Sequence, residues 1–120
     1  MKITRFEDLE CWQAARELTN MIYAATNGTS FHKDMRLCGQ IQSSAGSVMA
    51  NIAEGFVRKS DKEFVQFLFI AMSSAAETQS HLYVAIDQKY VDKDQFDGIY
   101  EQADKTGRKI SNFIKYLRPK

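Results

Sequence analysis

Two carboxylates in the middle of the chain, Glu54 and Glu77, are the side chains whose type and setting could do chemistry. A pair of carboxylates on facing helices can act as general acid and base. Glu77 also stands four residues before His81, one step wider than the Glu-x-x-His by which helical bundles hold two irons. No Glu-x-x-His occurs, and His32 and His81 are the only histidines. No metal and no cofactor are therefore expected. Cys11 and Cys38 lie in apolar rows without a histidine beside them, and Ser43, Ser44 and Ser47 have no nameable base. A glycine-rich phosphate loop needs a strand before it, and the chain offers none. The chemistry left to Glu54 and Glu77 is structural: carboxylates bonded to Asn51, a tyrosine or Arg58 across packed helices, where they fix register. The reading is a non-enzyme.

The cationic side chains form two clusters. Arg58, Lys59 and Lys62 surround one predicted turn. Lys105, Arg108, Lys109, Lys115, Arg118 and Lys120 put six positive charges into residues 105–120, with no acid among them. Residues 92–104 carry five acids against Lys93 alone. Acid first and base last is what a helix dipole favours, which accounts for the polarity of that segment. The size of the excess suits a contact with phosphates, so nucleic acid or a nucleoprotein is the candidate partner. The alternative is a protein-interaction scaffold whose cations are merely solvated.

The elements that position these groups are helices. In residues 40–55, QIQSSAGSVMANIAEG, the row Ile41, Ala45, Val48 and Ile52 has helical spacing. A second row, Gly39, Ser43, Ser47, Asn51 and Gly55, is small or amide-bearing throughout, so another helix can approach it closely. This helix is predicted from near His32 or Lys33 to about Phe56, with Gly55 loosening its end. Before it, Thr4-x-x-Glu7 reads as a capping box, followed by a helix to about Asn27 with Cys11, Ala15, Leu18, Ile22 and Ala25 on one face, widened by Leu9 and Trp12. Asn27-Gly28-Thr29-Ser30 reads as a left-handed stop. A third helix starts at the box Ser60-x-x-Glu63 and runs to about Gln88 with the row Phe64, Leu68, Ala71, Ala75, Thr78, Leu82 and Ala85. Asp92-x-x-Gln95 caps a fourth, with the row Phe96, Ile99, Ala103, Thr106, Ile110, Phe113 and Leu117, and Pro119 beyond. Four helices with short connections make one all-α domain over residues 1–120, an antiparallel up-down four-helix bundle.

Residues 64–72, FVQFLFIAM, contain one polar residue, Gln66. One stripe, through Phe64, Leu68 and Ala71, fills a bundle core. Phe67, Phe69, Ile70 and Met72 cannot all share that stripe at about 100° per residue. A second copy of the chain is the simplest cover, so these four are the candidate oligomer interface. At 120 residues, 44% hydrophobic and net charge +1, the chain suits a single core and carries no bulk charge that would select a polyanion. No apolar run approaches the roughly 20 residues of a membrane span, and MKITRFEDLE lacks a signal core. A cytoplasmic protein with reduced, buried cysteines and no membrane partner is expected.

The pattern QI-x-x-SA-x-S-x-x-ANIAEG, then Arg58, Ser60, Lys62-Glu63-Phe64 and Ala71-x-x-Ser74-x-x-Glu77, with Leu9-x-x-Trp12-x-x-Ala15 and Ile22-Tyr23, resembles the four-helix-bundle proteins encoded in 23S rRNA intervening sequences. A related branch comprises the accessory variability proteins of diversity-generating retroelements. The resemblance marks Asn51, Glu54, Gly55 and Glu77 as structural motif residues. It implies a ring-like homo-oligomer, a pentamer, and a nucleic-acid role without an established reaction. The chain departs from the family where relatives often carry two arginines, having Gln42 and Ser43, and where they carry a basic or glycine pair, having Met72-Ser73.

Overall fold

The computed structural model describes residues 2–28 and 30–118; Met1, Thr29, Pro119 and Lys120, and with them part of the predicted stop and the last predicted cation, lie outside the described residues. Four helices, α1 (Glu10–Thr26), α2 (Met35–Phe56), α3 (Asp61–Asp87) and α4 (Lys93–Leu117), run up and down in a rod of 45 × 21 × 20 Å. Each helix packs on its sequence neighbour and α4 closes on α1, with α2 and α3 in the most extensive contact. This is the expected bundle.

The predicted rows of α1 and α3 are buried throughout. In α4 the row is half-buried at Phe96, buried from Ile99 to Ile110, and then moves over by one residue: Ile114 is buried, whereas Phe113 and Leu117 are half-buried. Two apolar clusters result. One joins Leu18, Ile22, Ile41, Leu82 and Ile99. The other joins Ile52, Phe64, Leu68 and Ile110 at the opposite end of the rod. Between them every helix contributes a hydroxyl, Thr19, Ser44, Thr78 and Thr106, and Ser47 and Ser74 add a second from α2 and α3. Thr19 donates toward the carbonyls of Ala15 and Ala45 (2.9 and 3.2 Å), Thr106 donates to Gln102 O (2.7 Å), and the Ser44 and Thr78 hydroxyls meet at 2.8 Å. Among the described residues no buried side-chain polar atom lacks a partner, so this polar waist carries no uncompensated desolvation.

Helix starts divide between the expected and the unexpected. Ser60 accepts from Glu63 N (3.2 Å), and Asp92 with Gln95 forms a full reciprocal box. Thr4 caps nothing. A 3₁₀ turn at Phe6–Asp8 intervenes, because burying Leu9 and setting Phe6 edge-on to Trp12 (5.3 Å) bends the chain across the bundle end before α1 begins. A second 3₁₀ turn, Phe31–Lys33, replaces the predicted start of α2, whose true cap is Asp34, accepting from Leu37 N at 3.1 Å.

Asn27 stays right-handed, and no described glycine has positive φ. The left-handed residue is Lys89, φ 65°, after α3. Tyr90 N–H donates to Ala85 O (2.8 Å) and Lys89 N–H to Ile86 O (2.9 Å), which is the paired bonding of a Schellman cap. A lysine there bears a Cβ clash that glycine lacks. Lys89→Gly is expected to raise stability by about 1 kcal/mol, read as a later urea midpoint with an unchanged slope.

Gly55 is helical and buried, so it does not loosen the end of α2. A Cβ on it would lie 2.7 Å from Phe64 Cδ1 and 2.8 Å from Phe67 Cβ. The small row of α2 only partly faces α3. Ser47, Asn51 and Gly55 do, with Ser47 Oγ 2.9 Å from Ser74 Oγ, but Gly39 and Ser43 are exposed. A row four residues apart turns by about 40° per step on a helix of 3.6 residues per turn, so it cannot stay on one contact. Gly39 and Gly46 sit inside α2 with no atom within 4 Å of an added Cβ. Each costs α2 roughly 0.5–1 kcal/mol relative to alanine, and nothing in the single chain requires it.

Candidate nucleic-acid interface

An up-down path returns the end of α2, the start of α3 and the end of α4 to the same end of the rod. Arg58 and Lys59 follow α2, Lys62 lies in the first turn of α3, and Lys115 and Arg118 stand at the end of α4. The two clusters expected from the sequence thus meet in part. Lys62 and Arg118 line one groove of about 420 Å³, floored by Val65, Phe69 and Leu117, with Asp61 at its edge. Arg58 lies over the Phe67 ring, 4.6 Å from its centroid, and Arg118 over Phe69 at 6.0 Å. Cation–π contact holds a guanidinium plane against a ring and leaves its N–H edge free to donate. None of Arg58, Lys59, Lys62, Lys115 and Arg118 forms an ion pair among the described residues.

The remaining cations of α4 do not join. Arg108 donates to Glu101 (3.1 Å) and Asp104, and Lys109 to Glu10 (3.1 Å). Lys105 lines a polar groove with Glu10, Gln13 and Glu17. The run at 105–118 is therefore split by local acids into an offset half and an open half.

Glu54 and Glu77 occupy neither a buried nor a shared site. Glu54 is exposed, without a hydrogen bond to Asn51, a tyrosine or Arg58. Glu77 is exposed on α3, with Oε2 3.3 Å from His81 Nε2. Both fall on helix faces turned away from the core rows, which is why the expected buried carboxylates do not exist. Asn51 keeps its structural place, donating to Ser47 O (2.8 Å) and Ser47 Oγ (3.0 Å). Gln42 donates to Thr26 Oγ1 (3.0 Å) and ties α2 to α1.

The thiols are not poised for attack. Burial raises the Cys11 pKa to about 11, and burial together with Asp34 pushes Cys38 up. No group of three or more potential metal-ligating side chains comes together among the described residues, nor is any helix there long and apolar enough to cross a membrane. Of the four apolar residues assigned to an interface, Phe69 and Ile70 are 47% and 49% exposed. Phe67 is half-buried beneath Arg58, and Met72 packs against the core.

Fold and surface together define a small helical bundle with five unpaired cations at one end, interspersed with the exposed acids Glu54, Asp61 and Glu63, and no assembled catalytic constellation among the described residues. The chain belongs to the 23S rRNA-intervening sequence protein family, which matches residues 7–112. A crystal structure from Bacteroides thetaiotaomicron, described as a protein of unknown function from the S23 ribosomal protein family, shares the fold with TM-score 0.80. It is 24% identical, over 88% of this chain and 95% of that one. Neither relative is tied to a named reaction, and the matches concern this family rather than the accessory variability proteins. No curated protein matches the chain.

Proposed function

We propose that the protein is a non-enzymatic, self-assembling bundle whose cationic end holds the phosphates of a structured nucleic acid. The observation that carries this reading is the open cluster of Arg58, Lys59, Lys62, Lys115 and Arg118, unpaired among the described residues while Arg108 and Lys109 farther up α4 are paired. Salt bridges at a surface contribute little to folding, and these five residues do not even form them. Their conformational cost is offset when they neutralise phosphates and release the counterions condensed there. A second reading, a protein-interaction scaffold, is favoured by the exposure of Phe69 and Ile70 beside the cluster. Self-assembly unites the two readings, because copies that cover these side chains also array several cationic ends; a closed ring, five by family resemblance, requires two different faces to meet.

Fluorescence anisotropy with a labelled RNA hairpin and a DNA duplex tests the phosphate contact. Affinity is expected to fall steeply between about 50 and 200 mM salt. Changing Arg58, Lys59 and Lys62 together to glutamine should weaken binding and flatten the log–log salt slope by about 2–3, close to one for each phosphate that is no longer neutralised. Absence of binding at about 50 mM salt, where such contacts are strongest, would leave the protein scaffold as the function.

A further inference from the structure

We propose that the outer face of α2 docks antiparallel on the outer face of α3 of a second copy, with Gly46 against Ile70. The inference rests on the self-assembly proposed above and names the two faces that meet. The outward row of α2 is Arg36, Gly39, Ser43, Gly46 and Ala50, all exposed or half-exposed. The outward row of α3 is Gln66, Ile70, Ser73, Glu77 and Ser80, all exposed. Read in opposite directions, both rows advance by three, four, three and four residues. An antiparallel pair therefore matches Arg36 with Ser80, Gly39 with Glu77, Ser43 with Ser73, Gly46 with Ile70 and Ala50 with Gln66 in successive layers.

Size and charge agree with this register. Gly39 and Gly46 have nothing within 4 Å of an added Cβ, so the floor they leave admits a neighbouring helix closely. The bulkiest exposed pair on α3, Phe69 and Ile70, arrives at that floor. One turn beyond the last layer Glu54 faces Lys62, which leaves Arg58, Lys59, Lys115 and Arg118 of the cationic cluster open to phosphate, and at the other end Arg36 lies one turn from Glu77. Arg36, Glu54 and Lys62 have no ion pair within the described chain. A parallel alignment that set Arg36 against Lys62 would also bring Glu54 to Ser80, beside Glu77, opposing like charges at both ends. A slip of seven residues would set Glu77 on Gly46 and Phe69 on Glu54. The contact joins two different helix faces; it closes as a pair where each copy's α2 meets the other's α3 at once, and propagates head to tail where it does not.

Cysteine pairing tests the register with near-isosteric changes. Ser43→Cys and Ser73→Cys chains are purified separately, mixed and mildly oxidised, beside the parent, whose Cys11 and Cys38 are buried. A disulfide requires Cβ atoms about 3.5–4.5 Å apart. Covalent dimers are expected in the mixture and not in either variant alone. Dimers formed instead between Ser43→Cys and Ser80→Cys would overturn the register, and dimers within one variant would overturn the α2-to-α3 contact. Light scattering of the parent separates the two levels. A multimeric mass without the mixed disulfide overturns the pairing and leaves self-assembly standing, and a monomeric mass overturns both.

Discussion

Replacing Phe31 with alanine is expected to lower stability by about 3–5 kcal/mol, the range for truncating a buried aromatic ring. Phe31 is fully buried although it sits in a 3₁₀ turn between helices. Its ring stacks on Tyr90 at 5.1 Å, and its carbonyl accepts from the Cys38 thiol at 3.2 Å. Tyr90 in turn donates its hydroxyl to Asp34 Oδ2 at 3.0 Å, and Asp34 caps α2. One ring thereby joins the α1–α2 connection to the turn before α4. Removing it opens a cavity among Leu37, Cys38, Val91 and their neighbours and frees the Asp34 cap from its support. A urea titration followed by circular dichroism should show the midpoint falling steeply, while His32→Ala, an exposed change one residue away, moves it little. Equal midpoints for the two variants would mean that the connection is not part of the cooperative core.

Phe31 also shows where the sequence is silent. The rows of α1 and α3 are legible because a core-facing helix repeats its apolar residues every three or four positions, and Leu18, Leu68 and Leu82 recur on that schedule. An isolated Phe between Ser30 and His32 has no period, and only the tertiary fold decides that it turns inward. Cap signals are legible when side chain and backbone sit within four residues, as at Ser60 and Asp92. Thr4 has the same pattern and no helix to cap, since the burial of Leu9 reroutes the chain. At the cationic end, the meeting of residues 58–62 with 115–118 follows from an up-down path. The pairing of Arg108 with Glu101 and Asp104 is open to a reading of helical spacing, whereas Lys109 with Glu10 joins residues at opposite ends of the chain. Small neighbours in sequence suggest burial for Glu54 and Glu77, while their own angular positions point to solvent.

Gly55→Ala and Gly107→Ala should move stability in opposite directions, although both replace a glycine inside a helix. At Gly107 an added methyl meets nothing within 4 Å. The variant gains only helix propensity, roughly 0.5–1 kcal/mol. At Gly55 the same gain is overwhelmed. The new Cβ would stand 2.7 Å from a ring atom of buried Phe64 and 2.8 Å from Phe67 Cβ, and the second of these is anchored next to backbone. α2 and α3 must move apart, at a cost of about 1–3 kcal/mol for overpacking. The displacement reaches the surface as well. Phe67 carries the Arg58 guanidinium at 4.6 Å, so the shift disturbs the cationic end together with the Ser47–Ser74 contact farther along the same helix pair. Urea midpoints are expected to fall for Gly55→Ala and rise for Gly107→Ala, with RNA affinity reduced only in the first. A Gly55→Ala midpoint equal to or above that of Gly107→Ala would show that the two helices have room to spare, and that close approach is not why position 55 is a glycine.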